Sequence, residues 1–133
     1  MDSLPDIPEG YESSIRFDDE SIPLWVRINE AMRMVTVAQR AAKDRGITWA
    51  KAEAAYYNCK AQETFELYEK GTPATVIAQV IKGMPDTNKA LEVRLAEKVG
   101  YTNAQDAAQA YKLIARILND EQQREWEQAR RTT

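Results

Sequence analysis

The chain has 133 residues, a formal net charge of -3, one cysteine and no histidine. Without histidine the commonest general base and the commonest metal ligand are missing, so neither a catalytic base of that type nor a metal or other cofactor is expected. Hydrophobic residues make up 44% of the chain. Much of this is alanine, which suits a thin helical assembly with small-residue interfaces better than a wide globular core.

No run of about eighteen uncharged apolar residues is present, so no membrane span is expected. The opening MDSLPDIPEGYESS is acidic and lacks the basic-then-apolar order of a secretory signal. With Cys59 as the one thiol a reducing compartment is expected, with the cytoplasm as the default location. Carboxylates are plentiful, and paired carboxylates can do acid/base chemistry. On helices such residues usually form solvated faces, so a non-enzymatic protein is expected.

Residues 1–22 hold Asp2, Asp6, Glu9, Glu12, Asp18, Asp19 and Glu20 against the single base Arg16. Their charge and low hydrophobicity predict a mobile acidic arm, or a strap if Ile7, Tyr11, Ile15 and Phe17 pin it down. Residues 23–133 then form the helical domain.

The first helix is expected from Ser21 as N-cap, over about residues 23–70, with Pro23 in its first turn. Two heptad series run through it. One is Ile28, Val35, Ala42, Trp49 and Tyr56; the other is Ala31, Ala38, Arg45, Ala52 and Cys59. A seven-residue repeat specifies packing against a partner helix, and Ile28, Val35, Trp49 and Tyr56 are the expected self-association seam. Both series keep phase across Gly46, which favours one long helix; a break there with Thr48 as a new N-cap is the alternative. Tyr57 falls off the seam and is free to face a partner, whereas Cys59 on the seam reads as a small core side chain.

Gly71 supplies a stop, and the stretch GTPATVIAQVIKG predicts a short helix over residues 73–82. Thr72 is its expected N-cap, Pro73 its first residue and Gly83 its end. Val76, Ile77, Val80 and Ile81 form one apolar stripe, so this piece must be docked, as the corner between two long helices. A second long helix is expected over about residues 86–130, capped by Asp86 or Thr87. Leu95, Val99, Ala110, Tyr111, Leu113, Ile114, Ile117 and Leu118 make its apolar face, and Trp126 is expected to cap the far end. The fold class is therefore all-α: a long antiparallel, coiled-coil-like helical hairpin with a short corner helix and an acidic N-terminal arm.

Arg94, Lys98, Gln105, Lys112, Arg116, Gln123 and Arg130 project along one line of the second long helix. Such a basic stripe is able to follow phosphates, with Arg94, Lys98, Lys112, Arg116 and Arg130 as contacts to nucleic acid or a partner. A sequence pI near 5.1 favours a solvated face with cross-helix ion pairs instead. Phosphate-binding glycine loops are absent.

The run AEAAYYNCKA, the GTPATVIAQVIKG corner, and the segment containing KLIARIL and REW resemble a group of small helical proteins encoded in phages and prophages of Gram-positive bacteria. The resemblance covers residues 49–126, with Glu53, Tyr56, Lys60, Gly71, Pro73, Gly83, Arg94, Tyr101, Lys112, Arg116 and Trp126 matching. Departures are the acidic arm and Gly100, the latter putting a straight second helix in doubt. The group is functionally uncharacterised, and its genes tend to lie among phage DNA-metabolism functions. The resemblance therefore implies a non-enzymatic accessory protein in the cytoplasm of a bacterial host, expected to serve in a phage DNA replication or recombination assembly. The expected partners are a second copy, as dimer or higher oligomer, and another phage protein.

Overall fold

The computed structural model describes residues 3–132; Asp2 of the acidic segment lies outside them. Three helices account for the ordered elements: α1 Leu24–Glu69, α2 Ala74–Lys82 and α3 Pro85–Thr132. Among the described residues there is no strand, and no helix is long and apolar enough to cross a membrane. The fold is an all-α helical hairpin in which α1 packs against α3. It divides into two compact units, Met1–Ala42 with Thr102–Thr133, and Lys43–Tyr101.

In the first unit Ile28, Ala31 and Met34 of α1 meet Tyr111, Ile114 and Leu118 of α3, and Ala38 meets Ala107 and Ala108. Numbers rise along α1 as they fall along α3, so the helices run antiparallel. Alanine at Ala31, Ala38, Ala104 and Ala107 is fully buried, which lets the two backbones approach closely. The described part of the acidic segment lies as a strap on this core. Phe17 sits edge-on to the Tyr111 ring at 5.8 Å, and Leu4, Ile7, Tyr11 and Ile15 pack on the same core. Burial of these apolar anchors offsets the ordering of a charged segment whose carboxylates stay at the surface. Buried Arg27 holds the strap's end, donating from Nε to the Ile22 carbonyl at 2.9 Å and from a terminal nitrogen to the Phe17 carbonyl at 3.1 Å.

Ser21 does not cap α1. Its hydroxyl and its N–H both donate to Asp19 at 2.6 and 2.9 Å, while the Pro23 carbonyl receives the first helical bonds, from Val26 and Arg27. These two Ser21 bonds, chiefly the side-chain one, hold the Asp19 carboxyl below its ordinary pKa.

The second unit contains the corner. α1 is continuous through Gly46 and ends at Gly71, whose φ of +83° is left-handed. The Thr72 N–H donates to the Leu67 carbonyl and the Gly71 N–H to the Tyr68 carbonyl, the paired bonds of a Schellman stop. α2 starts one residue later than expected. Pro73 takes the N-cap place with no side-chain bond, and Thr72 uses its N–H to finish α1 instead. Only Ile77 and Ile81 of the α2 stripe are buried; Val76 and Val80 are exposed. Gly83 ends α2 with right-handed backbone angles, and α3 runs unbroken past Gly100.

Candidate interaction surface

In the second unit α1 has two faces. The inner one meets α3 through contacts that are largely polar and aromatic. Trp49 stacks on Tyr101 at 5.4 Å. Glu53 accepts from Arg94 at 3.1 Å, and the same guanidinium lies 5.1 and 5.3 Å from the Tyr56 and Tyr57 ring centres. Glu63 is buried and accepts a short hydrogen bond from the Thr87 hydroxyl. The Cys59 thiol lies 3.8 Å from Glu63 and 3.7 Å from Thr87. Cys59 is therefore in a polar pocket and is not a plain core hydrophobe. Thr87, expected as a helix cap, spends its hydroxyl on Glu63.

The outer face of α1 carries Ile47, Ala50, Ala54, Tyr57, Ala61, Thr64, Phe65 and Tyr68. At 100° per residue these side chains fall in one arc about 100° wide, running about 32 Å along the helix, with no charged residue inside it. All except Thr64 are exposed. Tyr57, Phe65 and Tyr68 retain 52%, 61% and 68% of their surface and border a shallow groove with Lys60, Ala61 and Thr64. Large aromatics aligned at helical spacing are thus left exposed along this face.

The residues expected to form the self-association seam are occupied within the chain. Ile28 is in the first unit's core, Val35 packs against it, Trp49 lies on Tyr101 and Tyr56 lies beneath Arg94. A heptad seam specifies a helix partner without saying whether that helix belongs to the same chain, and here α3 supplies it. Arg94 is likewise committed to Glu53 and two rings. Lys98 is exposed on α3 of the same unit. In the first unit Lys112 and Arg116 are exposed beside Met32, Val35, Thr36, Ala115 and Asn119, and Arg130 is exposed near the end of α3. Five basic residues on one helical line are thus in different environments.

Two apolar expectations for α3 also change. Leu95 and Val99 are exposed, because α3 turns Thr87, Arg94 and Tyr101 toward α1 in that unit. Trp126 does not cap the far end; it is exposed, beside Gln122, Gln123, Glu125 and Ala129. Among the described residues no group of three or more His, Cys, Asp or Glu side chains is placed to hold a metal ion. The heptad reading follows the two series that meet α3 and so picks out only Tyr57 of the outer α1 face; the absence of charge along that one arc from Ile47 to Tyr68 is the signal in the sequence that marks the rest. Compared with known proteins, the chain matches no family model, no curated protein and no solved structure.

Proposed function

We propose that this chain is a non-enzymatic helical module that works by self-association. The observation that carries this reading is the exposed, charge-free outer arc of α1 from Ile47 to Tyr68. Its size and its aromatic content match the buried centre of a protein interface, where charge is depleted and Tyr and Phe are enriched. The resemblance of residues 49–126 to phage and prophage helical proteins supports a place as an accessory protein in a phage DNA replication or recombination assembly. Sedimentation velocity over a concentration series tests the self-association: species heavier than one chain are expected, and a monomer at every concentration overturns the reading.

The basic residues support a second reading, direct nucleic-acid binding. Lys112 and Arg116 stand exposed beside one groove and make no ion pair among the described residues. Fluorescence anisotropy with single- and double-stranded DNA across a salt series separates the two. Steep salt dependence that is lost on Lys112→Glu and Arg116→Glu supports binding. Flat anisotropy at low salt rules it out.

A further inference from the structure

We infer that the outer face of α1 pairs with the same face of a second copy, antiparallel, in the register that sets Glu53 of one chain opposite Lys60 of the other. This rests on the self-association proposed above and names its surface and its geometry.

The spacing selects a helix as the occupant. Ile47, Ala50, Ala54, Tyr57, Ala61, Thr64 and Tyr68 alternate steps of three and four. That is the knob pattern of a coiled-coil seam, separate from the inner seam filled by α3. The residues bordering this outer seam on one side are Gly46, Glu53, Lys60 and Leu67; on the other they are Lys51, Asn58 and Phe65.

Charge then selects orientation and register. In a parallel pair Glu53 would oppose Asn58 and Lys60 would oppose Phe65, so no opposite charges meet. In antiparallel pairs the Glu53 side of one helix meets the same side of its copy. Sliding by one heptad step in one direction puts Lys60 against Lys60, and in the other direction Glu53 against Glu53. Only the register between them puts Glu53 against Lys60, and two-fold symmetry makes that pair twice. Lys60 is exposed and has no ion pair among the described residues, and Glu53 gives only Oε1 to Arg94.

The same register is sterically sound. Tyr57 faces Ala54, Ile47 faces Thr64 and Ala50 faces Ala61, so Tyr57 and Ile47 each meet a smaller side chain. Tyr68 falls opposite the aliphatic stem of exposed Lys43. An aromatic side chain buries about 150–250 Å². At their present exposures Tyr57, Phe65 and Tyr68 therefore bring roughly 300–400 Å² toward the roughly 800 Å² per partner of a standard interface. Ile47, the three alanines and the flanking stems extend the contact along the remaining length.

The test uses light scattering on the full chain and on Ala61→Glu, with circular dichroism to confirm that helix content is unchanged. Glutamate is a good helix former at an exposed site, so folding should survive. The wild type should be a dimer, and the variant should dissociate at least about 100-fold more readily, because two carboxylates are driven into the seam. A monomeric wild type overturns both this inference and the self-association reading. A wild-type oligomer unaffected by Ala61→Glu overturns this surface alone. The register is read by disulfide trapping in a Cys59→Ser background. Ala50→Cys mixed with Ala61→Cys should crosslink between chains, and each alone should not. Crosslinking of either variant with itself overturns the register.

Discussion

The hydroxyl of Tyr111 on α3 donates to the main-chain oxygen of Tyr11 in the acidic strap. The same ring receives the edge of Phe17, so one side chain holds the strap at two points. This bond and this contact explain how a segment rich in carboxylates becomes part of a folded unit.

Ionisation of Tyr111 should therefore loosen that unit. Burial, then the charges of Glu12 and Glu30, push its pKa above the ordinary value of 10.0. The folded chain thus holds the phenol proton more tightly than the unfolded chain. The associated stability is fully present below about pH 10 and is lost as pH rises through the folded value. Urea midpoints measured from about pH 8 to 11 should fall at the alkaline end. Tyr111→Phe should lower stability by about 0.5–1.5 kcal/mol at neutral pH and flatten the alkaline decline. An equally steep decline in Tyr111→Phe would exclude this phenol as its source.

Arg94 invites a different prediction from the one its charge suggests. The guanidinium is held by Glu53 and by the rings of Tyr56 and Tyr57. Arg94→Ala should lower thermal stability by roughly 1–2 kcal/mol, mostly through lost ring and stem contacts, since the partly exposed ion pair is screened. It should leave any DNA affinity unchanged relative to wild type. A stable variant with weakened DNA binding would instead make Arg94 a phosphate contact.

How much was legible follows from particular residues. The corner was readable because Gly71 and Pro73 each have a conformational preference strong enough to act alone. The continuity of α1 through Gly46 was readable because two heptad series kept phase across it. The interior of the second unit was not. Thr87, Arg94 and Tyr101 recur every seven residues along the inner line of α3, yet a hydrophobicity pattern assigns Thr and Arg outward and Leu95 and Val99 inward. Paired polar groups reversed that assignment, since Thr87 answers Glu63 and Arg94 answers Glu53. Periodicity reports that a helix has faces; it does not report which face meets which helix, so the seam was visible and its occupant was not.

The pairing of Thr87 with Glu63 is open to direct test. Thr87→Val keeps the side-chain shape and removes the donor to a buried carboxylate, leaving only the weak thiol contact from Cys59. Stability should fall by about 2–3 kcal/mol, whereas Thr87→Ser should recover most of it. Equal losses in the two variants would mean that the methyl group, and not the hydroxyl, is what the unit needs.

Gly46 and Gly100 supply a matched comparison inside one unit. Both are helical, so replacing either by alanine should gain up to about 1 kcal/mol of helix propensity. Their surroundings differ. A Cβ at Gly46 would stand 3.1 Å from the Tyr101 ring, which is stacked on Trp49 and has little room to retreat. A Cβ at Gly100 would stand 3.1 Å from the Arg45 guanidinium, the far end of an exposed, flexible side chain. Gly100→Ala should thus raise the melting temperature by a few degrees, on the order of 0.5–1 kcal/mol. Gly46→Ala should give no gain or a net loss, because displacing Tyr101 disturbs the stack. If thermal melts show Gly46→Ala to be the more stabilising of the two, the Tyr101 ring is free to move and the stack does not constrain the helices there.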